Sequence, residues 1–243
     1  MAELIIPDSR FEMPSLFYPN RKPVGKVKID WGHPLARGLS AYLVVQNGVL
    51  VDLVNGLSPE STAVNVPKLR GESVDLTAAN AYIDYPQGII SDPKSALTYT
   101  SNVDTKADLS GHYLLDGTAG NTESYRVFWE NTSAPRFRIF TSSGASNLDL
   151  VSYGNAQNTD DLTLCFTYDG EFMRGYVNGG LSDSLAKTGE VTANVDGYRL
   201  GGAHVYTEKC NVFLYYTAIH NRALTSREVT SLHANPYQFL IPA

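Results

Sequence analysis

The sequence predicts an all-β protein, a sandwich of two antiparallel sheets with an extended N-terminal arm and one short C-terminal helix. Short apolar or alternating runs recur from Leu39 onward and are separated by turn residues, which is typical of antiparallel strands. Fifteen tyrosines and nine phenylalanines favour sheet, because aromatic rings pack well on a pleated surface. A sandwich commonly reaches about 200–250 residues as one domain, so the 243 residues are expected to form one main domain.

An extended arm is predicted at residues 1–30, ahead of the sandwich at residues 31–243. Four prolines lie between positions 7 and 23, among apolar and aromatic side chains. Proline removes backbone donors and disfavours helix, whereas a flexible linker would be poor in large apolar side chains. We therefore expect an ordered arm that lies against its own body or against another subunit.

The predicted strands are apolar or alternating segments bounded by turn residues. They are residues 41–45, 49–52, 73–76, 82–85, 96–100, 112–115, 125–129, 136–141, 148–153, 162–168, 172–178, 198–201 and 211–219. Asp169 and Gly170 predict a tight hairpin, because this dipeptide readily adopts the positive φ angles of a two-residue turn. Longer loops are predicted at residues 117–121 and 142–146.

Alternation of apolar and small residues is plainest in residues 162–168. Successive side chains of a strand point to opposite faces of the sheet. One face of this strand is therefore expected to carry Leu162, Leu164, Phe166 and Tyr168, and the other face Thr163, Cys165 and Thr167.

The helix is predicted near the C-terminus. Thr225 is a suitable N-cap, and Glu228 stands three residues later as the reciprocal half of a capping box. Asn235 and Pro236 end the helical pattern. The apolar segment that follows, residues 237–243, is expected to pack on the body or on a partner.

Charge and hydropathy argue against two classes of partner. The chain has 19 basic and 25 acidic residues, and no run of Lys and Arg could neutralise a row of phosphates, so nucleic acid is not expected. No segment has the length needed to cross a bilayer, so no membrane partner is expected. The N-terminus lacks the cationic start and long apolar stretch of a signal peptide, which predicts synthesis in a cytoplasm.

The two cysteines, Cys165 and Cys210, lie in or beside apolar runs. A secreted scaffold stapled by disulfides would carry more cysteines, and free cysteine is commonly a small buried hydrophobe. We predict inert core thiols in preference to a bridge or a nucleophile. The sequence leaves open whether the two residues pair.

Four motifs resemble laminin G-like domains of the concanavalin A-like lectin-glucanase superfamily, of the kind found in bacteriophage and prophage structural proteins. They are DLTLCFTYDG with MRGYVNG (residues 161–170 and 173–179), YRLGG (198–202), AIHNRALTSREV with NPY (218–229 and 235–237), and IDWGHPLARGL (29–39). The first is similar to the central hairpin of that family, and the third to its closing strand and helix. The resemblance implies a jelly-roll sandwich.

Some members of this family hold calcium at the rim of the sandwich. Many of them begin with an acidic loop, and only a short remnant of that loop is present here, at residues 51–56. Asp160 and Asp161 could supply oxygen ligands, but adjacent carboxylates in a loop are more often solvated, and calcium takes about six or more oxygens. We predict no cofactor, and the sequence leaves calcium open.

Glucanases share the fold, so catalysis has to be judged at the residues. Retaining glycosidases place two carboxyl groups about 5 Å apart, and on one strand this needs even spacing. Glu72 and Asp75 are oddly spaced, and Glu130 stands alone. The sequence also lacks a Gly-x-Ser-x-Gly elbow, a phosphate loop and a dinucleotide fingerprint. We predict that the protein is not an enzyme.

A carbohydrate site is the predicted binding function. Lectins of this fold use aromatic rings and planar polar groups, and such residues lie on neighbouring predicted strands. They are Tyr125, Trp129, Arg136, Arg138 and Tyr153. The alternative is that these side chains form ordinary cross-strand pairs.

The resemblance and the apolar arm together predict a non-catalytic virion-associated protein of a bacteriophage, either structural or a decoration or tail-fibre component. Its expected partners are other virion proteins, contacted through the arm, and surface glycans; self-association into a homo-oligomer stays open. One alternative is a bacterial carbohydrate-binding, lectin-like module. Another is a glycoside-active enzyme whose site is not recognisable in sequence.

Overall fold

The computed structural model describes residues 25–68, 71–78, 81–85, 95–109, 111–119, 122–129, 134–151, 157–193, 197–203 and 210–243. Its strands are β1 (Val27–Ile29), β2 (Leu39–Gln46), β3 (Val49–Asp52), β4 (Glu60–Ser61), β5 (Val64–Lys68), β6 (Gly71–Asp75), β7 (Ile83–Tyr85), β8 (Leu97–Thr105), β9 (His112–Ala119), β10 (Thr122–Trp129), β11 (Arg136–Thr141), β12 (Gly144–Asp149), β13 (Leu162–Tyr168), β14 (Phe172–Val177), β15 (Gly180–Ala186), β16 (Tyr198–Leu200), β17 (Val212–His220) and β18 (Leu240–Pro242). The helix α1 spans Ser226–Ala234.

Two large antiparallel sheets pack against each other and confirm the predicted jelly-roll sandwich. The seven-stranded sheet has the order β12-β11-β10-β9-β16-β7-β4. The nine-stranded sheet has the order β15-β14-β13-β8-β17-β2-β3, with β6 pairing β17 and β5 pairing β6. The main core lies between the sheets, where Phe137 of β11 stacks on Phe166 of β13 with ring centroids 5.1 Å apart.

The nine-stranded sheet is covered on both faces. As predicted, the set that contains Leu162 and Phe166 faces the main core. The opposite face of the same strand is also buried, and there Cys165 joins a second apolar cluster with Val229 of α1 and Phe239 of the C-terminal segment. The helix and the tail therefore form a third layer, which explains why every residue of β13 is buried.

The C-terminal segment packs on the body of the protein. Tyr237 and Phe239 are buried, and the Tyr42 hydroxyl donates to the Pro236 carbonyl over 3.0 Å. Strand β18 pairs with β1, which is the end of the predicted arm. Residues 1–24, the greater part of that arm, lie outside the described residues. Among the residues described, no helix is long and apolar enough to span a membrane.

Two predicted loops were wrong in part. Residues 117–119 continue β9, and residues 144–146 begin β12. Thr141 pairs with Gly144, so a two-residue turn replaces the predicted longer loop, with Gly144 at a φ of 100°. The predicted strand at residues 148–153 ends at Asp149. The missed strand β15 is an exposed edge strand without apolar alternation, so its sequence carries no strand signal.

The predicted cap of α1 is present. The Thr225 hydroxyl accepts from the Glu228 N–H over 3.3 Å, and the Thr225 N–H donates to the Glu228 carboxylate over 2.8 Å. These two bonds satisfy donors that the first turn of a helix leaves without an internal partner. The chain leaves the helix at Asn235, as predicted.

Both cysteines are free and buried, as predicted. Cys210 belongs to the main core and Cys165 to the second cluster, so the nine-stranded sheet separates them. Burial raises the pKa of the Cys165 thiol to about 12, and it raises the pKa of Cys210 as well. Both side chains therefore remain neutral thiols at neutral pH, which suits a packing role.

Candidate functional site

The structure does not bring the predicted carbohydrate-binding residues together on one surface. Tyr125 and Trp129 of β10 point into the main core, and each is 0% exposed. The Tyr125 ring instead packs on Tyr198, with centroids 5.1 Å apart. The prediction that these rings meet a sugar is therefore corrected, because a ring enclosed between two sheets offers no face to a ligand.

Of the other three predicted site residues, two lie on a different surface and one is outside the described residues. Arg136 and Arg138 lie on β11 and alternate with the buried residues Phe137 and Ile139. Their side chains therefore stand on the outer face of the seven-stranded sheet. Tyr153 lies outside the described residues.

The outer face of the seven-stranded sheet, which we call the arginine face, carries Arg126, Arg136, Arg138 and Arg199. Three of these arginines pair with carboxylates. Arg199 binds Asp84 through two bonds of 2.7 Å, Arg126 binds Asp116 over 3.0 Å, and Arg136 forms a two-point contact with Asp149. These contacts fit the alternative interpretation of cross-strand pairs.

Aromatic rings interleave with these guanidinium groups. Arg199 lies 4.0 Å from the ring centroid of Tyr82, and Arg138 lies 5.1 Å from that of Phe140. Such cation–π contacts restrain the guanidinium groups on the face of the sheet. The face is thus a rigid layer of paired charges and half-buried rings.

A cleft of about 740 Å³ opens on another part of the surface. It lies where the loop before β2 meets the segment that leads into α1. Its lining includes Trp31, His33, Arg37, Arg222 and Glu228. The volume is within the range of about 300–1,000 Å³ that is usual for ligand pockets.

The loop that carries Trp31 is held in place by its own polar atoms. Gly32 N–H donates to the Asp30 carboxylate over 2.9 Å, and Leu35 N–H donates to Nδ1 of His33 over 3.2 Å, where the one-turn helix Pro34–Ala36 begins. Asp30 N–H also donates to the Phe239 carbonyl over 2.8 Å. The Trp31 ring nevertheless stands 59% exposed, so it is an apolar surface on a fixed support.

Arg222 and Glu228 form the charged wall of the cleft. Two guanidinium nitrogens of Arg222 donate to the two carboxylate oxygens of Glu228, over 3.0 and 2.7 Å. The third nitrogen, Nε, donates to the Arg37 carbonyl over 2.7 Å. The Arg222 hydrogen bonds lower the pKa of Glu228 to about 2. Glu228 is therefore a fixed carboxylate at neutral pH and holds no proton to donate.

Sequence reasoning missed Trp31 as a site residue although it lies inside one of the recognised motifs. A usable signal was present: Trp31 stands next to glycine and two residues from His33-Pro34, a turn-like context that offers a large ring no sheet face on which to pack. The residues that share the cleft with Trp31 could not be predicted, because Arg222 and Glu228 lie far away in sequence.

Of the two residues considered as calcium ligands, Asp160 is exposed and Asp161 makes hydrogen bonds that support the fold. Asp161 N–H donates to Asp104 Oδ1 over 2.9 Å, and Asp161 Oδ1 accepts from the Asn102 amide over 2.9 Å. Within the described ranges, no three His, Cys, Asp or Glu side chains group so as to hold a metal ion. The absence of a bound cofactor stays a prediction.

A model of the concanavalin A-like lectin/glucanases superfamily matches residues 77–230, more than half of the chain. The chain belongs to this superfamily. The matched range of this lectin/glucanase-like chain includes the central hairpin β13–β14 and ends inside α1. A comparison with curated protein sequences found no match.

Solved structures that resemble this superfamily member include toxin binding domains and a sialidase. The binding domain of Paraclostridial Mosquitocidal Protein 1 superposes with a TM-score of 0.66 at 15% identity, covering 84% of this chain and 53% of that one. The ligand-binding domain of botulinum neurotoxin serotype D, in complex with N-acetylneuraminic acid, gives a TM-score of 0.61 at 14% identity, with 81% and 50% covered.

The sialidase of Trypanosoma rangeli, in complex with sialic acid, gives a TM-score of 0.60 at 16% identity, with 84% of this chain and 34% of that chain covered. The lectin/glucanase-like chain thus spans about half the length of the toxin domains and about a third of the sialidase. At these identities the likeness shows a shared fold.

Proposed function

We propose that the protein is a non-catalytic carbohydrate-binding domain and that the cleft beside Trp31 is its binding site. The observation that carries the proposal is the Trp31 ring, 59% exposed at the edge of a cleft with a charged wall. A sugar ring has an apolar C–H face, which packs on an aromatic ring, and hydroxyl groups, which bond to planar charged groups. Trp31 and the pair of Arg222 with Glu228 offer both kinds of contact.

The state of the carboxylate supports binding without catalysis. Glycosidases of the usual two-carboxylate type need one group that donates a proton and one that acts as nucleophile or base. Among the residues that line the cleft, Glu228 is the one carboxylate. Its oxygens already accept hydrogen bonds from Arg222 and from Thr225, and its pKa is low, so it is suited to positioning a ligand.

The related structures also support a saccharide ligand. Two of them, the neurotoxin domain and the sialidase, were solved with a sialic acid bound. Those ligands belong to those proteins, and the present chain covers only part of each. They make acidic sugars a sensible first choice of probe.

Trp31→Ala is expected to lower the affinity for a saccharide at least tenfold, because the variant loses the apolar stacking surface. The measurement is a glycan array with the wild-type protein, followed by titration calorimetry of the variant with a saccharide that the wild-type protein binds. Folding should be nearly unchanged, because the ring is largely exposed.

Leu181→Ala is the matched control, since Leu181 is 56% exposed and lies on β15, away from the cleft lining. This variant should bind as the wild-type protein does. Unchanged saccharide binding by Trp31→Ala, or an array on which the wild-type protein binds nothing, contradicts the proposal.

A second proposal concerns residues 1–24, whose apolar and proline-rich composition favours attachment to another protein. We propose that the domain is a component of a bacteriophage particle and that this segment anchors it there, with self-association as the competing role. The segment ends just before β1, which is paired with β18.

Removing residues 1–24 is expected to abolish co-sedimentation with particle proteins while leaving the domain folded, because β1 remains. Light scattering would reveal any change of oligomeric state. Removing residues 1–30 is the control for a truncation that also deletes β1 and is expected to destabilise the domain. Stable monomers with and without the segment, neither of which binds particle proteins, would exclude both attachment and self-association.

A further inference from the structure

Two arginines face each other directly across neighbouring strands of the arginine face. Arg126 of β10 is the register partner of Arg138 of β11. Like charges in this position repel each other. The carboxylate of Asp116, which is 0% exposed, offsets the charge of Arg126 over 3.0 Å.

Arg138 differs from the other three arginines of the face. Arg126, Arg136 and Arg199 each pair with an aspartate. Within the part of the chain that the structure describes, Arg138 has no such partner, and its Nε is buried without an acceptor. The hydrogen-bonding capacity of Arg138 is thus less fully used than that of the other three arginines.

We propose that Arg138, together with Arg126 opposite it, binds the carboxylate or sulfate group of an acidic saccharide. A planar guanidinium matches the geometry of such a group and can donate two parallel hydrogen bonds. The anion would accept from the terminal guanidinium nitrogens and would offset the charge of Arg138, as Asp116 offsets that of Arg126. The ring of Phe140, 5.1 Å from the guanidinium of Arg138, adds an apolar contact for the sugar.

The surroundings favour one isolated negative group over a polyanion. In each of the three ion pairs the aspartate lies directly across from its arginine on the neighbouring strand, and the chain carries a formal net charge of −6. A nucleic acid, with its closely spaced phosphates, would meet these carboxylates as well. A sugar that carries a single carboxylate can place it on Arg138 and direct its neutral part elsewhere.

This site is separate from the cleft beside Trp31. The arginine face is the outer surface of the seven-stranded sheet, whereas the loop of the cleft packs with the helix layer on the nine-stranded sheet. The inference rests on the proposed function, which supplies saccharides as the class of ligand. Each of the two sites can be disproved without affecting the other.

The test is titration calorimetry of the full-length protein at low salt with two probes, a glucuronic acid-containing oligosaccharide and its neutral glucose counterpart. We expect the acidic oligosaccharide to bind at least tenfold more tightly. Arg138→Gln should remove this preference and leave binding of the neutral probe unchanged, whereas Trp31→Ala should weaken binding of the neutral probe and leave the tighter binding of the acidic probe in place. A sulfated form of the neutral probe separates sulfate from carboxylate as the preferred group.

Arg174→Gln is the matched control, because Arg174 is also a half-buried strand arginine, but it pairs with Asp169 on the other sheet. It should leave the preference for the acidic probe intact. Arg138→Lys keeps the charge, loses the planar fork and should retain only part of that preference. An equal affinity of the wild-type protein for the two probes, binding of neither probe, or an undiminished preference in folded Arg138→Gln would overturn the inference.

Discussion

Replacing Trp129 with alanine is expected to lower the free energy of unfolding by about 3–5 kcal/mol. Trp129 is 0% exposed and packs in the core between the two sheets. Truncation removes the largest side chain of that core and leaves a cavity that the rigid strands cannot fill. Chemical denaturation followed by circular dichroism would measure the loss, and a loss below about 1 kcal/mol would contradict the assigned position.

Trp129→Phe separates packing from hydrogen bonding at the same position. The Trp129 Nε1 has no acceptor among the described residues, so phenylalanine gives up ring area and no hydrogen bond. Trp129→Phe should therefore lower the free energy of unfolding clearly less than Trp129→Ala does. Saccharide binding by Trp129→Phe should equal that of the wild-type protein, because the ring points away from the arginine face. Weaker binding by this folded variant would restore the original prediction of a glycan contact.

Lowering the pH from about 6.5 to about 4 is expected to remove about 3 kcal/mol of stability through His220 alone. His220 is 0% exposed, and its Nε2 lies 2.9 Å from the Leu35 carbonyl. Burial lowers the pKa of His220 to about 4. The unfolded chain takes up a proton near pH 6.5, whereas the folded protein resists it until about pH 4. Stability is thus full above pH 6.5 and falls between these values.

His220→Gln is the control, because glutamine can donate to the Leu35 carbonyl and does not titrate. The wild-type protein should lose about 3 kcal/mol relative to this variant between pH 7 and pH 4. His233, whose pKa burial also lowers, contributes equally in both proteins. Glu228, with a pKa of about 2, loses its contribution only below about pH 4.5. If the free energy of unfolding of the two proteins changed with pH in the same way, His220 would not be the source of the effect.

Features encoded by local patterns were predictable. Strands β3, β11 and β13 have the predicted bounds, because apolar alternation and flanking turn residues mark them. The capping box of α1 was equally clear, because its two partners lie three residues apart. The four motifs predicted the superfamily to which the chain belongs.

The site was less predictable because it depends on contacts between distant segments. On β10, Phe128 and Trp129 are adjacent, so the sequence allows either of the two side chains to face the core. The structure buries Trp129 between the sheets and stacks Phe128 on Tyr113 of the neighbouring strand. A shift of one residue in pairing exchanges the two faces of a strand, and the sequence of one strand does not reveal that register.

The sequence by itself determined the class of fold, the course of the main strands, the capped helix and the neutral state of both cysteines, since these follow from local periodicity and apolar context. Only the tertiary structure decided which aromatic rings are buried, which arginine of the arginine face lacks a carboxylate among the described residues, and that Trp31, Arg222 and Glu228 line one cleft. Pairing of strands and packing of layers join residues more than a hundred positions apart, and no local pattern encodes such a distance.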